Sequence, residues 1–120
     1  MKDDNVILNK SFQFGLRILK LFTYLKEAKV DRAICIQLLR SGTSIGANVE
    51  EAIGGSSKKD FIFKLEIAYR EARETSYWLR LFKEGGIMEA KLAESFLIDC
   101  NELIKLLTAI LNSSKNLEQA

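Results

Sequence analysis

A chain of 120 residues, 48% hydrophobic and 28% charged with a net charge of +2, is long enough to bury one core without disulfide or metal staples. It has no proline, only seven glycines and no histidine. A sandwich or barrel of many tight turns is therefore disfavoured, and Ser/His, Cys/His and His-metal chemistry is excluded.

The first helix is predicted to start at Asn9 or Ser11, both able N-caps, and to run to about Lys29. Phe14, Ile18, Leu21, Leu25 and Ala28 form its core stripe, while Gly15, Leu19 and Phe22 widen it and Phe12 and Leu16 lie further round. That arc exceeds the roughly 100° needed to face one core, so this helix has a second partner. The second helix, about 31–53 with Asp31 as cap, holds Cys35, Leu39, Gly42, Gly46, Val49 and Ile53 in a heptad-like register. Beside them run Ile34, Leu38, Ser41, Ile45 and Ala52. Because the register continues in phase across Gly42 and Gly46, these glycines imply close approach of two helix backbones.

Gly54-Gly55 ends the second helix, and Ser56 or Ser57 caps a third over about 57–84, with Asp60 in its first turn. Its core stripe is Phe61, Leu65, Ala68, Ala72, Thr75, Leu79 and Phe82. The fourth helix, about 88–112, carries the clearest seam, Ala93, Phe96, Cys100, Leu103, Leu107 and Ile110, and a polar tail is expected over 113–120. Four long helices joined by short loops predict an all-α, antiparallel up-down-up-down four-helix bundle in a single domain, 1–120. Surplus apolar surface on helices 1, 3 and 4 predicts a homo-oligomer. Cys35 and Cys100 fall in apolar registers and read as buried reduced thiols. With no signal-peptide layout and no apolar run near the roughly 20 residues of a membrane span, a cytoplasmic protein with no membrane partner is expected.

Arg40, Ser44, Asn48 and Glu51 lie on one face of the second helix. With a turn near residue 55, antiparallel packing sets Arg40 opposite Glu71 and within a turn of Glu74, Asn48 near Phe63 and Lys64, and Glu51 near Lys59 and Asp60. An ion pair from Arg40 to Glu71 or Glu74, fixing helix register, is the expected role; contact of Arg40 with a phosphate is the alternative. Glu50-Glu51 and Glu71 with Glu74 have the look of di-metal carboxylates, but such bundles use Glu-x-x-His pairs that this chain lacks. With no P-loop or GxGxxG either, no catalytic residue, metal or cofactor is assigned and a non-enzymatic protein is expected.

The first helix carries Lys10, Arg17, Lys20, Lys26 and Lys29 against Glu27 alone, whereas acids exceed bases from Ile87 onward. Lys10, Arg17 and Lys20 on helix 1, with Lys58, Lys59, Arg70 and Arg73 on helix 3, are the candidate nucleic-acid contacts. Their acids are interleaved, as on ordinary solvated helix faces, so an oligomer that aligns several copies is needed for affinity.

Arg40, Ser44-Ile45, Asn48-Val49 and Glu51, followed by Ser57, Phe61, Leu65, Ala68 and Glu74, resemble the four-helix-bundle proteins encoded in intervening sequences of bacterial 23S rRNA genes. The likeness covers roughly residues 10–112, and the accessory variability proteins of diversity-generating retroelements look like relatives. The resemblance implies a barrel-like homopentamer with a basic surface that binds RNA or DNA, and, in the retroelement branch, a reverse transcriptase as protein partner. The sequence differs from that pattern at Ala52, where glycine is usual, at Arg70-Glu71, where a Gly-Ser pair is usual, and in lacking a proline in the first loop. An assembly module without nucleic-acid binding is the alternative.

Overall fold

Four helices follow one another with short connections, and capping chemistry marks both ends of the second and third and the end of the first. The computed structural model describes residues 2–119, with the side chains of residues 6–116. Helix α1 spans Lys2–Glu27, α2 Arg32–Ile53, α3 Lys58–Glu84 and α4 Ala90–Gln119, with no strand among the described residues. The Asp31 carboxylate accepts from the Ala33 amide at the start of α2, and the Ser57 hydroxyl accepts from the Asp60 amide at the start of α3. Gly54 and Gly85 cap the C-terminal ends of α2 and α3. Helices α1 and α3 end in the same wrapped turn. The amide of Val30 bonds Leu25 O and that of Lys29 bonds Lys26 O, as Ile87 bonds Phe82 O and Gly86 bonds Lys83 O. The left-handed residue is Gly86 in one case (φ 72°) and Lys29 in the other (φ 61°).

Sequential neighbours pack along their length and α1 closes against α4, giving the all-α up-down-up-down four-helix bundle, 50 × 21 × 21 Å. Both outer helices are longer than predicted. Asn9 and Ser11 do not cap α1: Ser11 is 1% exposed inside the helix and its hydroxyl donates to Leu8 O at 3.2 Å. Ile7 and Ser11 extend the seam Phe14, Ile18, Leu21 and Leu25 in phase, all buried, whereas Ala28 is exposed beyond the helix end. The expected tail 113–120 is helical to Gln119, because Leu111 and Ser114 continue the buried stripe and Lys115 reaches Glu66 on α3 at 3.3 Å. Met1 and Ala120, the ends of the expected domain and tail, lie outside the described residues.

The α4 seam is buried throughout, and Ile62 takes the core place expected for Phe61 on α3. On α2 the buried set is Cys35, Leu38, Ser41, Gly42, Ile45, Val49 and Ala52. Ile53 is exposed, and Leu39 and Gly46 are half-buried. The two glycines do different things. A Cβ at Gly46 would meet the Ser11 backbone oxygen at 3.2 Å, a true backbone approach. At Gly42 it would meet the Ile18 side chain, so the space there belongs to a core isoleucine. Cys35 and Cys100 are buried and free. Burial pushes the Cys100 thiol up to about 12, and the thiol donates to Ala72 O at 3.2 Å. Every buried side-chain nitrogen and oxygen among the described residues has a partner.

Candidate functional site

The polar file on α2 divides into two cross-helix pairings, those of Arg40 and Glu51, and two side chains that serve their own helix. Arg40 Nη1 donates to Glu71 Oε2 at 3.1 Å, and Nη2 pairs with Glu74. Glu74 also accepts from the Trp78 indole at 3.0 Å, so one carboxylate joins α2 to two turns of α3. Glu71 is the more buried acid, 19% exposed at the side chain. The Trp78 bond does most to hold the Glu74 carboxyl below the usual range; burial opposes it and Arg40 reinforces it. The bond to Glu74 in turn raises Arg40 above its ordinary value. Further along, Ser44 Oγ donates to Arg40 O at 2.6 Å and the Asn48 amide donates to Ser44 O at 2.8 Å. Glu51 pairs with Lys64 at 2.9 Å rather than with Lys59. The Gly54-Gly55 turn sets this register, and the guanidinium faces carboxylates where a phosphate ligand would have to displace them.

The candidate bases separate by helix. Lys10 pairs with Glu102 at 3.2 Å, and Arg17 pairs with Asp99 at 2.5 Å, donates to Ser95 Oγ at 3.0 Å and stacks 3.9 Å from the Phe96 ring centroid. Both therefore brace α1 against α4. Lys20 is exposed and makes no ion pair among the described residues. On α3, Lys58, Lys59, Arg70 and Arg73 are exposed and likewise make none among the described residues. They interleave with aromatic rings: Lys58 lies 5.9 Å from the Phe61 ring and Arg73 6.0 Å from Tyr69. Of the seven candidate bases the structure thus leaves four available on α3 and Lys20 on α1, and it commits Lys10 and Arg17 to α4. Glu102, which holds Lys10, and Asp99 and Ser95, which hold Arg17, carry no local sequence signal, because their partners lie 78 to 92 residues away.

An apolar groove of about 300 Å³ runs between α1 and α2, floored by Gly15, Gly46 and Ala47 and walled by Phe12, Leu16 and Leu19. Phe12 is 56% exposed there. This is the second apolar side of α1 that its wide stripe required. No helix of the described residues is long and apolar enough to cross a membrane, and none of them form a cluster of three or more metal-ligating side chains.

The class the fold defines is the all-α four-helix bundle, here with a charge clamp between α2 and α3 and an apolar α1–α2 face. The 23S rRNA-intervening sequence protein family model matches residues 3–109, and the chain belongs to that family. It is also similar to a protein of unknown function from the S23 ribosomal protein family of Bacteroides thetaiotaomicron VPI-5482, whose crystal structure superposes with a TM-score of 0.89. The two share 43% identity over 92% of this chain and 98% of that one. No curated protein matches the chain.

Proposed function

We propose that this chain is a non-enzymatic, homo-oligomeric bundle that binds RNA or DNA, with α3 as the principal contact surface and Lys20 of α1 as an auxiliary. The observation that carries the reading is the exposure of Lys58, Lys59, Arg70 and Arg73 on one helix, unpaired among the described residues and interleaved with aromatic side chains. Cations already neutralised by carboxylates release few counterions when a polyanion arrives, so affinity must come from bases such as these. Four on one copy is a modest number, and a ring of copies multiplies it. The exposed apolar α1–α2 groove supports self-association, since an apolar face of that kind is commonly covered by a partner. A homopentamer and a relation to the accessory variability proteins, with a reverse transcriptase as a further partner, belong to the same proposal by resemblance, and a cytoplasmic location belongs to it as the expectation drawn from the sequence.

The α1–α2 groove also favours a second reading, a protein–protein assembly module that binds no nucleic acid. Light-scattering mass with and without a structured RNA, at low and moderate salt, separates them. The proposal expects an oligomer that binds RNA at low salt and loses most of it at moderate salt. The second reading expects the same oligomer with RNA unbound at both. A strict monomer that leaves RNA unshifted contradicts both.

A further inference from the structure

The groove between α3 and α4, about 510 Å³, brings aromatic, cationic and hydrogen-bonding side chains together. Phe63 and Tyr69 supply aromatic faces and Arg70 a cation from α3, while α4 supplies Lys115, the Asn112 amide and Thr108, whose hydroxyl donates to Ile104 O at 2.7 Å and keeps its acceptor side for a ligand. Its volume falls within the roughly 300–1,000 Å³ of small-ligand sites. Phe63 is 54% exposed, a large apolar ring left in water beside charged neighbours. The pair between Glu66 and Lys115 accounts for Lys115, but a contact between helices of one bundle gives no reason for an exposed Phe63 beside an Arg70 with no ion pair among the described residues. An unpaired nucleobase with its phosphate does: the base stacks on an aromatic ring, its edge meets an amide or hydroxyl, and the phosphate meets a guanidinium.

We propose that the α3–α4 groove is a binding site for single-stranded nucleic acid, taking an unstacked base on Phe63 and its phosphate on Arg70. Thr108 and Asn112 contact the base edge. Glu66 also lines the groove and pairs with Lys115 at 3.3 Å, so the local balance is two cations to one carboxylate and Arg70 carries the unshared charge. A duplex keeps its bases stacked and presents only phosphates, which the ring of Phe63 cannot use. The site therefore discriminates strand state, and with one ring open for stacking its preference among bases is weak. This inference rests on the nucleic-acid reading above and assigns it a ligand class and a location.

The test is fluorescence anisotropy of labelled oligothymidylate and of a duplex of equal length, against the full chain and its F63A, F63W and R70Q variants. Because Phe63 and Arg70 are exposed, the variants should melt like wild type. The proposal expects the single strand to bind more tightly than the duplex, and F63A to weaken single-strand binding about tenfold. F63W should restore it, and R70Q should flatten its salt dependence. Equal or tighter duplex binding overturns the proposal, as does F63A binding within about twofold of wild type. A change of assembly mass in F63A with binding intact also overturns it, by making the groove a contact between copies. In those three cases the broader nucleic-acid reading stands, whereas wild type that binds neither oligonucleotide removes both.

Discussion

Lys10 and Arg17 on α1 and Arg70 and Arg73 on α3 are the same kinds of residue on the polar faces of long helices, yet the fold uses them differently. The α1 pair meets Asp99, Glu102, Ser95 and the Phe96 ring across the closing seam of the bundle. The α3 pair has no carboxylate partner among the described residues and lies beside aromatic rings. Arg40 is a third case, a base on α2 held by two acids of α3. Whether a cation braces the fold or remains available to a ligand is decided by what the neighbouring helix presents at the same height. A count of bases per helix does not contain that information.

The largest expected contrast is in binding. R70Q/R73Q should lower affinity for a single-stranded oligonucleotide about a hundredfold at low salt, two charge-assisted contacts being lost, with little change in melting. The Arg40 clamp should show the opposite behaviour. E74L removes one of the two acceptors of Arg40 and the acceptor of Trp78, and should cost about 1–2 kcal/mol in urea unfolding with oligonucleotide binding unaltered. Glu74 has a folded-state value depressed below its unfolded one, so its contribution is present above the unfolded value and is lost as pH falls through the folded one. The acid side of the melting profile should accordingly be shallower in E74L than in wild type. Next in size, K10Q/R17Q should destabilise by about 1 kcal/mol or less, since both bridges are partly exposed, and change oligonucleotide affinity less than R70Q/R73Q does. A large binding loss there would erase the contrast between α1 and α3. Smallest is K29G, where glycine relieves the left-handed backbone that Gly86 already occupies in the matching turn of α3. After the extra chain entropy of glycine, a gain of about 0.5 kcal/mol is expected in the same unfolding assay.

The bundle was legible because α4 repeats its apolar seam without interruption, and because Gly54-Gly55 and Gly85-Gly86 mark two turns plainly. The Arg40–Glu71–Glu74 clamp was legible for the same reason, a tight turn fixing the register of the helices on either side. The outer ends were not. Asn9, Ser11 and Ser113-Ser114 look like termini from propensity alone, but Ser11 and Ser114 are small enough to be buried in the seam, and packing overrides the preference. On α2, apolar residues occupy adjacent positions, so either of two stripes fitted; close packing of Gly42 on Ile18 places Leu38 and Ile45 inward. The pairs between α1 and α4 could not be read, since no short loop joins those helices to set their register. That is why Lys10 and Arg17 looked available for a ligand.

The most direct test is the slope of log affinity against log salt for single-stranded oligonucleotide binding, compared between wild type, R70Q/R73Q and K10Q/R17Q. If the α3 bases are the ones that meet phosphate, the slope should shrink by about 1.4 in R70Q/R73Q, two contacts at about 0.7 each, and stay at the wild-type value in K10Q/R17Q. An unchanged slope in R70Q/R73Q, or a loss confined to K10Q/R17Q, would contradict the account.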